Sequence, residues 1–252
     1  MARLLRRQRG FTLFEMVIAL VVLGVIGLGI GAYLQLGVEG YVQTVSRDQH
    51  QLIARFALEK MSREIRHAAP NSLATRQSGQ CLTFYPVRLS GFYLYEPSQQ
   101  SLAVTPVLGS EADWLAIDGD SWAAVGLGSA SQYDAKRDRV LGVAKTREPE
   151  VLNVQLAVPL QSRSPGKRFY TYRDKVSYCF ESATHSLYRL VGDNAQPSTD
   201  TLIAQDVESV AFTASGAGMN SNGMAHIKMV LSDPQSRERY SYQHTVQVMN
   251  VL

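Results

Sequence analysis

The sequence predicts an α+β fold, with one long N-terminal helix followed by a β-rich C-terminal head. Three observations carry this expectation. An uncharged apolar run extends from Met16 to Leu34, a helical stripe continues from it to about Ala68, and from Gln80 onward the apolar residues take the period of strands. These changes divide the 252 residues into a short basic segment over 1–10, a helix over 11–68 and a head over 80–252.

The first element is set by charge and length. Arg3, Arg6, Arg7 and Arg9 crowd the first ten residues, and the nineteen residues from Met16 to Leu34 carry no charge. As a helix they measure roughly 28 Å at about 1.5 Å per residue, close to the roughly 30 Å of a bilayer's hydrocarbon. Arginines on the N-terminal flank keep that end cytoplasmic and send the residues after Leu34 to the far side. No small-residue cleavage site of the A-x-A kind follows Leu34, so the apolar helix is expected to persist in the mature protein.

The junction itself, Arg9 to Glu15, reads RGFTLFE. The order G-F-T-L-x-E followed by an apolar stretch resembles the type III leader of type IV pilins and type II secretion pseudopilins. The resemblance implies a type IV pilin-like fold, a long helix packed on a β-rich head. It also implies a prepilin peptidase that cuts between Gly10 and Phe11 and methylates Phe11, with residues 1–10 removed as the leader. Glu15 then becomes the fifth mature residue. A carboxylate near the start of a membrane helix costs about 2.5–3.5 kcal/mol, so it needs a partner or a purpose. In pilins that partner is the free amine of a neighbouring subunit's first residue, a contact of about 4 kcal/mol at 4 Å and an effective dielectric of 20. A hydrated glutamate at the headgroup boundary is the alternative. Many pilins have proline at the twenty-second mature position, where this chain has Ala32. Gly24, Gly27, Gly29 and Gly31 weaken the helix instead, by up to about 1 kcal/mol each relative to alanine.

Composition agrees with an exported, globular remainder. The chain has 25 basic and 22 acidic residues, and without the four arginines of the leader the balance becomes slightly acidic. With 45% apolar residues and no basic cluster elsewhere, nucleic-acid binding has little support. The only two cysteines, Cys81 and Cys179, lack metal-ligand spacing. In an oxidising compartment they can close a loop of nearly a hundred residues, worth roughly 4–5 kcal/mol of chain entropy. Two unlinked buried thiols are the other possibility.

Beyond the apolar run, Val38, Tyr41, Val42, Val45, Leu52, Ile53, Phe56, Met61 and Ile65 recur at helical spacing with charged residues between them. Pro70 ends the helix, and Asn71–Gly79 reads as a connecting loop. Short β-rich runs follow over 81–87, 91–95, 114–117, 151–158, 168–173, 176–180 and 187–191. Loops are expected over 163–167 and 215–223. Runs over 225–231 and 239–250 flank the turn Asp233-Pro234-Gln235-Ser236 and form a terminal hairpin. Setting Ile227 against Tyr242 and Met229 against Tyr240 collects the large residues on one face and places His226 opposite Gln243. The stretch VSYCFESATHSLYRL, then LIAQDVESVAF, then HTVQVMNVL is similar to the larger minor pilins and the J-type minor pseudopilins, and most to minor pilins of the mannose-sensitive haemagglutinin (MSHA) pilus.

Catalytic patterns are missing: the chain has no P-loop, no G-x-S-x-G elbow and no H-E-x-x-H helix, so no catalytic and no metal-binding residue is assigned and no cofactor is expected. His50 and His67 read as solvated helix residues and His185 as a turn residue. Asp118-Gly119-Asp120 reads as a turn more readily than as a calcium site. Trp114 and Trp122 read as buried strand residues before they read as a binding patch. The resemblance implies a non-enzymatic minor pilin that primes pilus assembly, with prepilin peptidase, other minor and major pilins and inner-membrane lipid as partners. It would sit in a bacterial inner membrane by a single span, its head periplasmic, and at the pilus tip or base after assembly. A minor pseudopilin is the nearest alternative. A membrane-anchored periplasmic enzyme or binding protein is the alternative from another class.

Overall fold

The computed structural model describes residues 10–94, 100–117, 119–147, 150–216, 223–234 and 236–249. The chain divides into two compact units, Met1–Gln49 and His50–Leu252. One helix, α1 (Leu13–Arg66), runs through 54 residues and contributes to both. In the first unit its apolar side chains are exposed all round, from Leu13 through Val45, as expected of a segment whose solvent is lipid or other helices.

Within the second unit α1 buries one stripe: His50, Ala54, Ala57, Met61, Ser62 and Ile65. The expected stripe is therefore right at its C-terminal end and displaced before it. Leu52 and Phe56 are exposed, 66% and 55% respectively, and two alanines make the contact instead. Their small side chains let the helix backbone lie close to the sheets, and Phe56 is covered on its outer side by the Lys60 ammonium, 5.7 Å from the ring centroid. The helix closes with i→i+3 bonds, His67 N–H to Glu64 O and Ala68 N–H to Ile65 O, ahead of Pro70.

All sheet pairings are antiparallel. A five-stranded sheet has the order β1 (Ala74–Arg76), β2 (Cys81–Phe84), β9 (Val176–Glu181), β10 (Ser186–Val191), β11 (Leu202–Ala204). A second sheet orders β12 (Val207–Ser215), β13 (Met224–Ser232), β14 (Arg239–Gln247). The α1 stripe and the inner faces of both sheets share one core, in which Met61 and Ile65 join Leu82, Phe84, Tyr178, Phe212, Ile227 and Met229.

Between β2 and β9 the chain leaves this core and builds a closed six-stranded barrel. Its strands run β3 (Leu89–Leu94), β4 (Ser101–Pro106), β7 (Leu152–Leu156), β6 (Arg139–Lys145), β5 (Ser121–Ala124), β8 (Arg168–Tyr172), with the short helices α2 (Glu111–Leu115) and α3 (Ala130–Asp134) in its connections. The barrel has its own core, including Val104, Val140, Val154, Leu156 and Phe169. A tyrosine-rich cluster adjoins it, formed by Tyr85, Tyr133, Tyr170 and Tyr172 with Ala69, Ala124 and Leu127. The buried hydroxyls find acceptors: Tyr133 donates to Pro70 O at 2.6 Å, Tyr85 to Asp134 at 2.8 Å and Tyr172 to Tyr133 O at 3.2 Å. Burial raises the phenol pKa values of all three well above the ordinary tyrosine range.

Several expectations change. The 71–79 connection contains β1 and a 3₁₀ turn, Gln77–Gly79. The run 114–117 is not a strand: Glu111 and Asp113 place negative charge at the start of a helical turn, and α2 forms instead. Trp114, fully buried, packs from that helix against Phe169 at 5.7 Å. The terminal hairpin is present with its register moved by two residues, so that Ile227 faces His244, Met229 faces Tyr242 and His226 faces Thr245. Its turn fixes this register: the Asp233 carboxylate accepts from Ser236 N–H and O–H, and Asp233 N–H donates to Glu238 O. His226 and His244 remain on opposite faces. The 215–223 loop falls largely outside the described residues.

Cys81 and Cys179 are directly opposed in the β2–β9 ladder and are joined by a disulfide, with 98 residues of sequence separation. The oxidised protein should run faster than the reduced protein on a denaturing gel, and Cys81→Ser or Cys179→Ser should abolish the difference and lower stability by about 4 kcal/mol. Equal mobility before and after reduction would contradict the bond. A second outcome concerns Gly126, whose φ is +61 and whose added Cβ would lie 2.3 Å from Arg163 O. Gly126→Ala should cost more than about 1 kcal/mol in denaturant unfolding, and an unchanged midpoint would refute the close approach.

Candidate functional site: the N-terminal junction

The residues singled out at the junction lie at the start of α1. Gly10 has no atom within 4 Å of where a Cβ would stand, and Phe11 is 90% exposed, so the backbone on both sides of the bond between them is open to an enzyme. Residues 1–9 lie outside the described residues.

Thr12 and Glu15 form a reciprocal cap. The Glu15 carboxylate accepts from Thr12 N–H and from the Thr12 hydroxyl, both at 3.0 Å, while Glu15 N–H donates back to Thr12 Oγ1 at 3.3 Å. Two backbone donors that a helix start leaves orphaned are thereby satisfied. The negative charge also lies in the first turn, where the helix dipole favours it. The signal was visible in T-L-F-E, a T-x-x-E pattern directly before an apolar run, and the sequence reading of Glu15 as an intersubunit partner passed over it. Both contacts use one oxygen, Oε2, so the second oxygen keeps its lone pairs for another donor.

Along the following turns, Met16–Leu34 presents exposed apolar side chains with no Asp, Glu, Lys or Arg, and α1 is long and apolar enough there to cross a membrane. Gly24, Gly27, Gly29 and Gly31 have open space where a Cβ would stand.

The other candidate residues are dispersed. His50 is not solvated: it is 5% exposed, stacks on Tyr240 at 5.6 Å, and its Nε2 lies 3.6 Å from an Asp206 carboxylate oxygen. The long side chain at this small-residue stripe is accommodated because aromatic and acidic groups of β14 and the β11–β12 turn meet it. His67 is exposed and His185 sits in a turn, as expected. Asp118 lies outside the described residues. Asp120 accepts from Arg88 at 2.8 Å and Arg173 at 2.9 Å, so its oxygens are engaged by guanidinium groups. Burial raises its pKa, but the bonds from Arg88 and Ser121 and the field of Arg173 outweigh that and hold it below the usual carboxylate range. Trp122 is half-buried beneath the Lys136 ammonium, 5.0 Å from its ring centroid. Among the described residues no group of three His, Cys, Asp or Glu side chains is placed to hold a metal ion.

Residues 5–31 match the family described as "Prokaryotic N-terminal methylation motif". No curated protein and no solved structure gives a significant match. The matched motif implies processing by prepilin peptidase and assembly with other pilins. Through residues 5–31 the chain is thus similar to the N-terminal segment of type IV pilins and pseudopilins.

Proposed function

We propose that the protein is a minor pilin that helps to initiate assembly of a type IV pilus, and that its activity is protein–protein association without catalysis. The observation that carries this reading is the methylation motif over residues 5–31 running directly into an exposed apolar helix. In this reading residues 1–10 are the leader, prepilin peptidase cuts between Gly10 and Phe11 and methylates Phe11, and the inner membrane holds the span until assembly. The head is periplasmic, and the subunit resides at the tip or base of the pilus. The head's size, with two sheets and a barrel, favours a minor subunit. The strand sequences of the C-terminal half favour an MSHA-like system and its minor pilin MshO in particular. A J-type minor pseudopilin shares the same motif and is the second reading; loss of pili without loss of type II secretion in a deletion strain separates the two. An anchored periplasmic enzyme or binding protein would function without leader processing.

Processing should depend on the open glycine. Gly10→Val should leave a precursor heavier by the ten leader residues, measured by mass spectrometry of the N-terminus, and methylated Phe11 from that variant would remove the reading.

Glu15 has two separable roles, capping its own helix and pairing with a neighbour's Phe11 amine. Glu15→Gln keeps a capping residue and removes the charge, whereas Glu15→Ala removes both. Both variants should insert and be cleaved, since losing a charge makes insertion easier. If the charge pairs subunits, both should lose partner co-purification and surface pili. Wild-type piliation in Glu15→Gln with defects only in Glu15→Ala would leave the carboxylate a helix cap and nothing more.

A further inference from the structure

A cavity of about 220 Å³ opens beside the barrel, around the start of β6 and the end of β8. Asp138 lines it from the residue before β6 and is only 7% exposed. Its backbone carbonyl accepts from Ala123 N–H, but its carboxylate has no hydrogen bond or ion pair among the described residues. The residue is buried but its carboxylate oxygens are not sealed off, so they open onto the cavity, which is the route by which a donor reaches them. Burial pushes the Asp138 carboxyl up from its ordinary range, and the neighbouring Arg137 offsets only part of that.

The remaining walls are polar and partly uncommitted. Gln132 Oε1 accepts from Gly128 N–H at 2.6 Å, which leaves its amide NH₂ available. Ser162 donates its proton to Val125 O and keeps its oxygen lone pairs. Tyr172 spends its hydroxyl proton on Tyr133 O and contributes to the wall an aromatic side chain with no free proton. The side chains of Arg137 and Gln161, both exposed at the cavity, make no hydrogen bond or salt bridge among the described residues, and Arg137 acts on Asp138 through its charge alone.

This combination selects a ligand. A simple cation would satisfy Asp138 and be repelled by Arg137; a simple anion would meet the reverse. A neutral hydroxyl can donate to the carboxylate but leaves the Arg137 guanidinium without a counter-charge. A molecule with an ammonium and a carboxylate on the same carbon answers both groups, and the volume, below the roughly 300 Å³ of drug-sized sites, limits it to a small one. We propose that this cavity binds a small zwitterion of the α-amino acid class, its ammonium held by Asp138 and its carboxylate by Arg137, flanked by the amides of Gln132 and Gln161.

The site belongs to the second compact unit and does not depend on the assembly reading. Titration calorimetry on the full-length protein in detergent micelles tests it, with L-alanine as the probe and ethylamine, propionate and glycerol as single-feature comparisons. L-Alanine should bind saturably and raise the thermal midpoint, and each comparison compound should bind at least about tenfold more weakly. Asp138→Asn and Arg137→Gln should each weaken L-alanine by at least about tenfold. If Asp138→Asn does not fold, Arg137→Gln, at an exposed side chain, decides. No saturable binding of L-alanine up to about 10 mM, undiminished affinity in Arg137→Gln, or glycerol binding as tightly as L-alanine would each overturn the proposal.

Discussion

The pairing of β2 with β9, locked by the Cys81–Cys179 disulfide, is the constraint on which the rest of the head depends. Its ladder sets Leu82 opposite Tyr178 and Phe84 opposite Val176, and these four side chains form the floor on which the α1 stripe and the β12–β14 sheet are packed. The opposite face of the same two strands carries the cysteines, Thr83 and Ser177. Beyond one end of this ladder the chain departs into the barrel at Leu89 and returns at Tyr172. A mispaired β2–β9 ladder would therefore misplace the helix, the second sheet and the barrel together. One covalent bond across the ladder removes most of the register alternatives, since a slip of one residue would turn the apolar floor to the other face.

How much of this was legible follows the physics of each signal. The apolar helix was plain because lipid exposure demands an uninterrupted run and leaves no polar face to dilute it. β8 and β9 were readable because aromatic residues crowd them, and β7 because Leu152, Val154 and Leu156 alternate with Asn153 and Gln155. The barrel as a whole was not. β4, β5 and β6 are short or contain alanine, glycine, serine and lysine, and their membership is decided by neighbours far away in sequence, as when Ala123 meets Thr171. Likewise no local rule says that Ala54 and Ala57, and not Leu52 and Phe56, face the sheets; that choice needs the distance between backbones. His50 was misjudged for the same reason, because Tyr240 and Asp206 come to it from 156 and more residues away.

At the junction the reverse happened, and a local rule was available but overlooked. Thr12 and Glu15 stand at the spacing of a helix cap, so the acid in the apolar stretch has an intramolecular reason to exist before any neighbour arrives. A capped start also fixes where the helix begins, which leaves Gly10 and Phe11 outside it. The same two residues thus define the helix end and leave one carboxylate oxygen over for a second task.

The position of the barrel between two neighbouring strands has a mechanical consequence. In the proposed filament role the subunit would be loaded by tension, and the part of a pull that travels along the main chain from α1 to the C-terminal strands would cross from β2 to β9. The disulfide between those strands carries that tension across a single covalent bond, and the 97 residues between the cysteines, barrel included, lie off the load path. The barrel is thereby shielded from tension carried along the main chain.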